Sequence, residues 1–100
     1  MLTPRQQLYA VTAEECGELC QVMMKFMRFG DDAQIGRQAI VEEAGDLLCM
    51  LQLLEEHGLV AWSELEQRAN VKREKLKVYS DLIDNEHSKR KTAPIDCNYK

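Results

Sequence analysis

Apolar positions recur at helical spacing along most of the chain. Between Arg5 and Arg28, the residues Leu8, Leu19, Val22 and Phe26 fall within about 40° of a common direction on a wheel turning about 100° per residue. Thr3-Pro4 stands before this run as N-cap and first helical residue. Gly30 suits the stop, and Asp31 or Asp32 is placed to cap the next helix. A second run, from Ala33 to His57, carries a broader stripe of Ala39, Ile40, Leu47, Met50, Leu51 and Leu54, and ends at Gly58. After a connector from Leu59 to Trp62, Ser63-Glu64-Leu65-Glu66 has the S-x-x-E form of a capping box. It predicts a third helix reaching about Leu82. From Asn85 the chain turns polar, with Lys89-Arg90-Lys91 and Pro94, and reads as a loose tail.

The expected fold is therefore all-α: three core helices over residues 1–84 and a polar tail over 85–100. The apolar face of the second helix is wider than one neighbour can bury, which fits burial in an oligomeric bundle. Length agrees, because a single domain of 100 residues builds only a modest core of its own.

Composition narrows the classes. The chain is 45% hydrophobic and 30% charged, the profile of a folded soluble protein. The net charge of −4 argues against a nucleic-acid binder that works by charge alone. The longest apolar run, Leu47 to Leu51, is broken by Gln52, so no membrane span is expected. No signal peptide is visible at Met1-Leu2-Thr3-Pro4. Four irregularly spaced cysteines do not make a disulfide scaffold, and the expected compartment is a reducing cytoplasm. Charge is also uneven. Residues 1–56 hold ten acidic and four basic groups, whereas residues 57–100 hold seven acidic and nine basic. An acidic first half suits cations, and a basic third helix suits anions.

Four acids stand where apolar residues belong. Glu15 falls inside the first stripe, and Glu18 lies one turn on at its edge. Glu43 falls in the middle of the second stripe, between Ala39, Ile40, Leu47 and Met50, with Asp46 one turn on. An unpaired carboxylate in such surroundings is costly or shifts its pKa. The stripes carry no Lys or Arg to neutralise it. A divalent cation is the simplest compensation, and i, i+3 spacing lets both acids of a pair reach one ion. All-oxygen ligands without a nearby His or Cys favour Mg²⁺ or Mn²⁺ over zinc. The competing reading makes these acids an ordinary solvated helix surface. No Glu-x-x-His motif is present, which counts against a di-iron bundle.

Glu14-Glu15-Cys16-Gly17-Glu18-Leu19 followed by Glu42-Glu43-Ala44-Gly45-Asp46-Leu47 resembles the E-E-x-x-E … E-x-x-D signature of the MazG-like all-α nucleoside triphosphate pyrophosphohydrolases. Lys25 to Gly30 and Lys72 to Ser80 resemble the short stand-alone members of that family. The likeness covers roughly residues 8–80. It implies Mg²⁺-dependent hydrolysis of a nucleoside or deoxynucleoside triphosphate to the monophosphate and pyrophosphate. It implies Glu15, Glu18, Glu43 and Asp46 as metal ligands, with Glu15 and Glu43 central to catalysis. Glu14 or Glu42 is implied as a supporting group or base. It further implies a homodimer or homotetramer with sites near subunit interfaces. Related enzymes carry Lys, Asn and an Arg or Tyr on the last core helix. Here Asn70, Lys72, Lys75 and Tyr79 are the candidates, in either of two alignments. Lys25 is a second phosphate candidate, or a solvated lysine.

The remaining features have plainer readings. Cys16, Cys20 and Cys49 read as small core residues, and Met23, Met24 and Met27 as adaptable packing. His57 suits a helix C-terminus, and Trp62 a bundle end. The rival to an enzyme is a non-enzymatic helical interaction or regulatory module.

Overall fold

A computed structural model describes residues 1–30 and 33–83. Three helices follow in order: α1 (Pro4–Phe29), α2 (Ala33–Glu56) and α3 (Trp62–Tyr79). The described residues hold no strand, so the chain is all-α as its periodicity predicts. None of the helices among the described residues is long and apolar enough to cross a membrane. Asp31, Asp32 and the polar segment 85–100 lie outside the described residues.

Local chemistry sets the helix ends. At the start of α1, the Gln6 N–H donates to Thr3 Oγ1 at 3.0 Å and the Thr3 N–H donates to Gln6 Oε1 at 2.9 Å, which closes a capping box over Pro4. At its end Gly30 takes φ 84°, and its N–H donates to the Phe26 carbonyl at 2.9 Å. The positive φ explains the glycine there. α2 also closes at a positive-φ glycine, Gly58 at φ 78°, whose N–H donates to the Glu55 carbonyl at 2.9 Å.

α3 departs from expectation at both ends. It begins at Trp62, with Ala61 rather than Ser63 at the N-cap. Glu64, not Glu66, reaches back: its Oε1 accepts from the Ala61 N–H at 2.9 Å. A carboxylate in the first turn also suits the positive end of the helix dipole. The helix stops at Tyr79, short of Leu82, because Ser80 is extended at φ −157° and donates through both its N–H and Oγ to the Leu76 carbonyl.

The chain divides into two compact units, Met1–Leu59 and Val60–Lys100. The first is the α1–α2 hairpin. Its helices are antiparallel: Phe26 near the end of α1 meets Gly36 near the start of α2, and Glu15 meets Glu43 and Asp46 midway along. The packed stripes are the expected ones, with Leu8 and Met50 buried and Leu19, Val22, Phe26, Ala39, Leu47 and Leu54 half-buried. The hairpin holds few buried residues: among the described residues of this unit the buried hydrophobics are Leu8 and Met50, while Met23, Met27, Val41 and Leu48 stay exposed. In the second unit Trp62, Leu65 and Leu76 share the half-buried side of α3.

Candidate metal centre

The two helices of the hairpin bring their acids together through one repeated pattern. Glu14-Glu15-Cys16-Gly17-Glu18-Leu19 recurs as Glu42-Glu43-Ala44-Gly45-Asp46-Leu47, twenty-eight residues on. In each copy the second Glu points toward the partner helix, one turn before a core Leu. Antiparallel packing then sets the two inward glutamates against each other.

The result is a group of three carboxylates. One oxygen each from Glu15, Glu43 and Asp46 lie within 4.8 Å of one another. Glu15 and Glu43 are half-buried, and Asp46 is exposed. Glu15 Oε1 and Glu43 Oε1 are shut off from solvent, and neither has a hydrogen-bond partner. Buried polar oxygens are almost always satisfied, so two orphans in one carboxylate group are a departure to be explained.

Every neighbour that acts electrostatically on these groups acts the wrong way. Burial raises the Glu15 carboxyl above its ordinary value of 4.5, and Asp46, Glu18 and Glu14 push it in the same direction. Burial likewise raises Glu43 from 4.5, followed by Glu18, Asp46, Glu15 and Glu42. Among the described residues no cation offsets either rise. A proton or a cation would relieve the site.

The donor set fits a hard divalent ion. Metal–oxygen bonds of about 2.1 Å place neighbouring ligands roughly 3 to 4 Å apart. Oxygens within 4.8 Å of one another reach that arrangement by small side-chain rotations. The orphaned oxygens of Glu15 and Glu43 supply ligand atoms that nothing else claims. The group offers neither nitrogen nor sulfur, which suits Mg²⁺ or Mn²⁺.

The other expected site residues divide by location. Glu18 is exposed and stands outside the three-oxygen group, yet its charge acts on both Glu15 and Glu43. Glu42 is held by Gln38, whose Nε2 donates to its Oε2 at 3.0 Å. The i, i+4 spacing of Gln38 and Glu42 is the sequence signal for that bond, and it passes unnoticed beside the acids. Lys25 is exposed on α1, two turns beyond Glu18 on the same side. Lys72, Lys75 and Tyr79 form one exposed stripe of α3 together with Arg68, whereas Asn70 lies on nearly the opposite side of that helix. These four candidates therefore do not act from one face.

One expectation is overturned. Cys16, Cys20 and Cys49 are exposed free thiols, not small core residues. Cys16 and Cys20 lie roughly 80–120° away from the core-facing direction of α1, which takes them off the stripe that Glu15 shares.

No protein-family model, curated protein or solved structure matches the chain.

Proposed function

We propose that this protein is a Mg²⁺-dependent hydrolase of nucleoside or deoxynucleoside triphosphates, releasing the monophosphate and pyrophosphate, in a cytoplasmic homodimer or homotetramer. The observation that carries the reading is the pair of orphaned oxygens, Glu15 Oε1 and Glu43 Oε1, with Asp46 in reach of both. The step from cation site to triphosphate rests on the resemblance of the two acid motifs.

In this reading Glu15, Glu43 and Asp46 hold the ion, and Glu18 adds negative charge at the edge. Bound there, Mg²⁺ supplies charge neutralisation for a polyphosphate and lowers the pKa of a coordinated water. Water adds across the α–β phosphoanhydride, and a proton leaves with the two products. Glu14 and Glu42 are the carboxylates beside the site that can take that proton. Gln38 donates a hydrogen bond to Glu42 on the exposed side of α2. Lys25 and the Lys72, Lys75 and Tyr79 stripe are the candidate phosphate contacts, with Asn70 on the other side of α3.

The deciding experiment measures pyrophosphate release with Mg²⁺ across the standard ribo- and deoxynucleoside triphosphates, with Glu43→Gln as control. Release that disappears in the variant supports the reading. Release that survives intact removes Glu43 from the site. If no triphosphate is turned over while the chain still takes up Mg²⁺, the cation site stands and the substrate class is wrong.

A further inference from the structure

Sulfur is concentrated on one side of α1. Of the chain's four cysteines and five methionines, five fall between Cys16 and Met27. On the helical wheel Cys16, Cys20, Met23 and Met27 lie between about 80° and 140° around from Glu15. No other residue from Cys16 to Met27 falls in that arc. Over about three turns, therefore, every side chain on this line carries sulfur. Cys16 and Cys20 are free thiols, and all four residues are exposed.

Packing does not account for the line. Cysteine is among the residue types most often fully buried, yet both thiols stand in solvent, off the stripe that meets α2. A facing helix asks only for apolar volume, which leucine or alanine supplies equally well. α2 shows the contrast. Where it repeats the α1 pattern twenty-eight residues on, Ala44 stands for Cys16, Leu48 for Cys20 and Leu51 for Met23. The helix pattern needs no sulfur at these positions, so sulfur at each of them on α1 calls for a chemical reason.

The spacing suits a soft ion. Residues three and four apart on a helix bring their Cβ atoms to about 5–6 Å. Side chains lean toward the helix N-terminus, which carries Cys20 toward Cys16 and Met23 toward Cys20. Metal–thiolate bonds of about 2.3 Å hold two sulfurs up to about 4.6 Å apart. Rotation about the single Cα–Cβ bond of each cysteine closes that gap. The ion type follows from the donors. A structural zinc site is closed by four thiolate, imidazole or carboxylate groups, and this arc holds two thiols with neither imidazole nor carboxylate. Thiolate together with thioether selects Cu⁺.

We propose that Cys16 and Cys20 bind one Cu⁺ ion as a thiolate pair, with the Met23 thioether as third donor. Binding breaks two S–H bonds, forms two Cu–S bonds and releases two protons to solvent. Copper stays monovalent and nothing is oxidised. Met27 continues the line one turn on and keeps the surroundings of the ion free of charge and rich in sulfur. The site lies on a different stripe of α1 from Glu15, so a soft ion and a hard ion take separate places on one hairpin. It rests neither on Mg²⁺ nor on triphosphate turnover.

The test is transfer of Cu⁺ from its coloured bicinchoninate complex to the reduced full chain under argon. One ion per chain should leave the chelator, and affinity should weaken as pH falls, because protons compete for the thiolates. Losing a group that only supports a metal ligand costs up to about a hundredfold in affinity, so Cys16→Ala or Cys20→Ala, which removes a ligand, should cost at least roughly that much. Alanine favours the helix, and circular dichroism checks that it stays intact. Met23→Leu keeps the volume and should raise the dissociation constant roughly tenfold. Cys49→Ser and Cys97→Ser should leave it unchanged, and excess Mg²⁺ should not displace the ion, which separates the site from the acid group. A chelator that keeps its colour overturns the proposal. So does uptake that survives in the Cys16→Ala, Cys20→Ala double variant, because other groups then hold the ion. Half an ion per chain would place copper between two copies and overturn a site on one helix. An unchanged constant in Met23→Leu would overturn the third donor.

Discussion

Glu15 and Glu43 each turn an oxygen into the α1–α2 hairpin that meets no hydrogen-bond donor, and the two carboxylates lie within 4.8 Å. Two like charges in such surroundings oppose folding of the metal-free chain. Replacing one of them with a neutral isostere should therefore stabilise the metal-free protein. Glu43→Gln should show a higher Tm than wild type in chelator-treated buffer, and no turnover. A lower Tm would mean that the Glu43 carboxylate is satisfied in solution.

Divalent ions should act in the opposite sense on wild type. A ligand that binds only the folded chain stabilises it by RT ln(1 + [L]/Kd), about 1.4 kcal/mol at ten times Kd. For a small domain this is roughly 5–10 °C in Tm. Mg²⁺ and Mn²⁺ should produce the rise, K⁺ at equal ionic strength should not, and Glu43→Gln should lose most of it. Calorimetric scans at stepped Mg²⁺ settle the matter, and a flat series removes the cation site.

The acids also fix a pH dependence. Burial and neighbouring acids raise Glu15 and Glu43 above 4.5 in the folded chain. In the window between that ordinary value and the raised values, the folded state binds more protons than the unfolded one. Stability contributed by these groups therefore rises as pH falls through the folded pKa values, and levels off near 4.5 once both states are protonated. Metal affinity should weaken over the same window, because protons compete for the ligand oxygens. Urea titrations of wild type and Glu43→Gln from pH 7 to pH 5 give the comparison: the variant should be the flatter of the two.

Glycines on the two sides of the hairpin should respond oppositely to alanine. At Gly36 a Cβ would stand 2.8 Å from Phe26 Cζ and 3.0 Å from Cε1, so the ring must shift. Overpacking costs about 1–3 kcal/mol, which exceeds the helix-propensity gain of about 1 kcal/mol. Gly36→Ala should lose roughly 1 kcal/mol. At Gly17 nothing lies within 4 Å of the added Cβ, so only the gain remains, about 1 kcal/mol. Denaturant midpoints at constant m-value read both. An equal response at the two positions would show that Phe26 does not pack on Gly36 in solution.

The periodicity and the caps are legible in the chain because they are local. Thr3, Pro4, Gly30 and Gly58 mark helix ends through backbone chemistry within a few residues. The phase of Glu15 among Leu8, Leu19 and Phe26, and of Glu43 with Asp46 one turn on, follows from the same 3.6-residue geometry, so all three acids of the group are legible in the chain. The third-helix cap is not. Ser63-x-x-Glu66 and Ala61-x-x-Glu64 are both one turn long, and only the path of the chain out of Gly58 decides which glutamate reaches back.

The sequence by itself determined an all-α chain whose helices each carry an acid inside an apolar stripe, because side-chain phase on a helix depends on spacing alone. The tertiary structure decided what those acids meet. Antiparallel packing set Glu15 against Glu43 and Asp46 and left Glu18 outside the group. Those outcomes depend on the axial register of two helices twenty-eight residues apart in sequence. That register is fixed by interhelical packing, as where Phe26 fits over Gly36, and by no property of either helix alone.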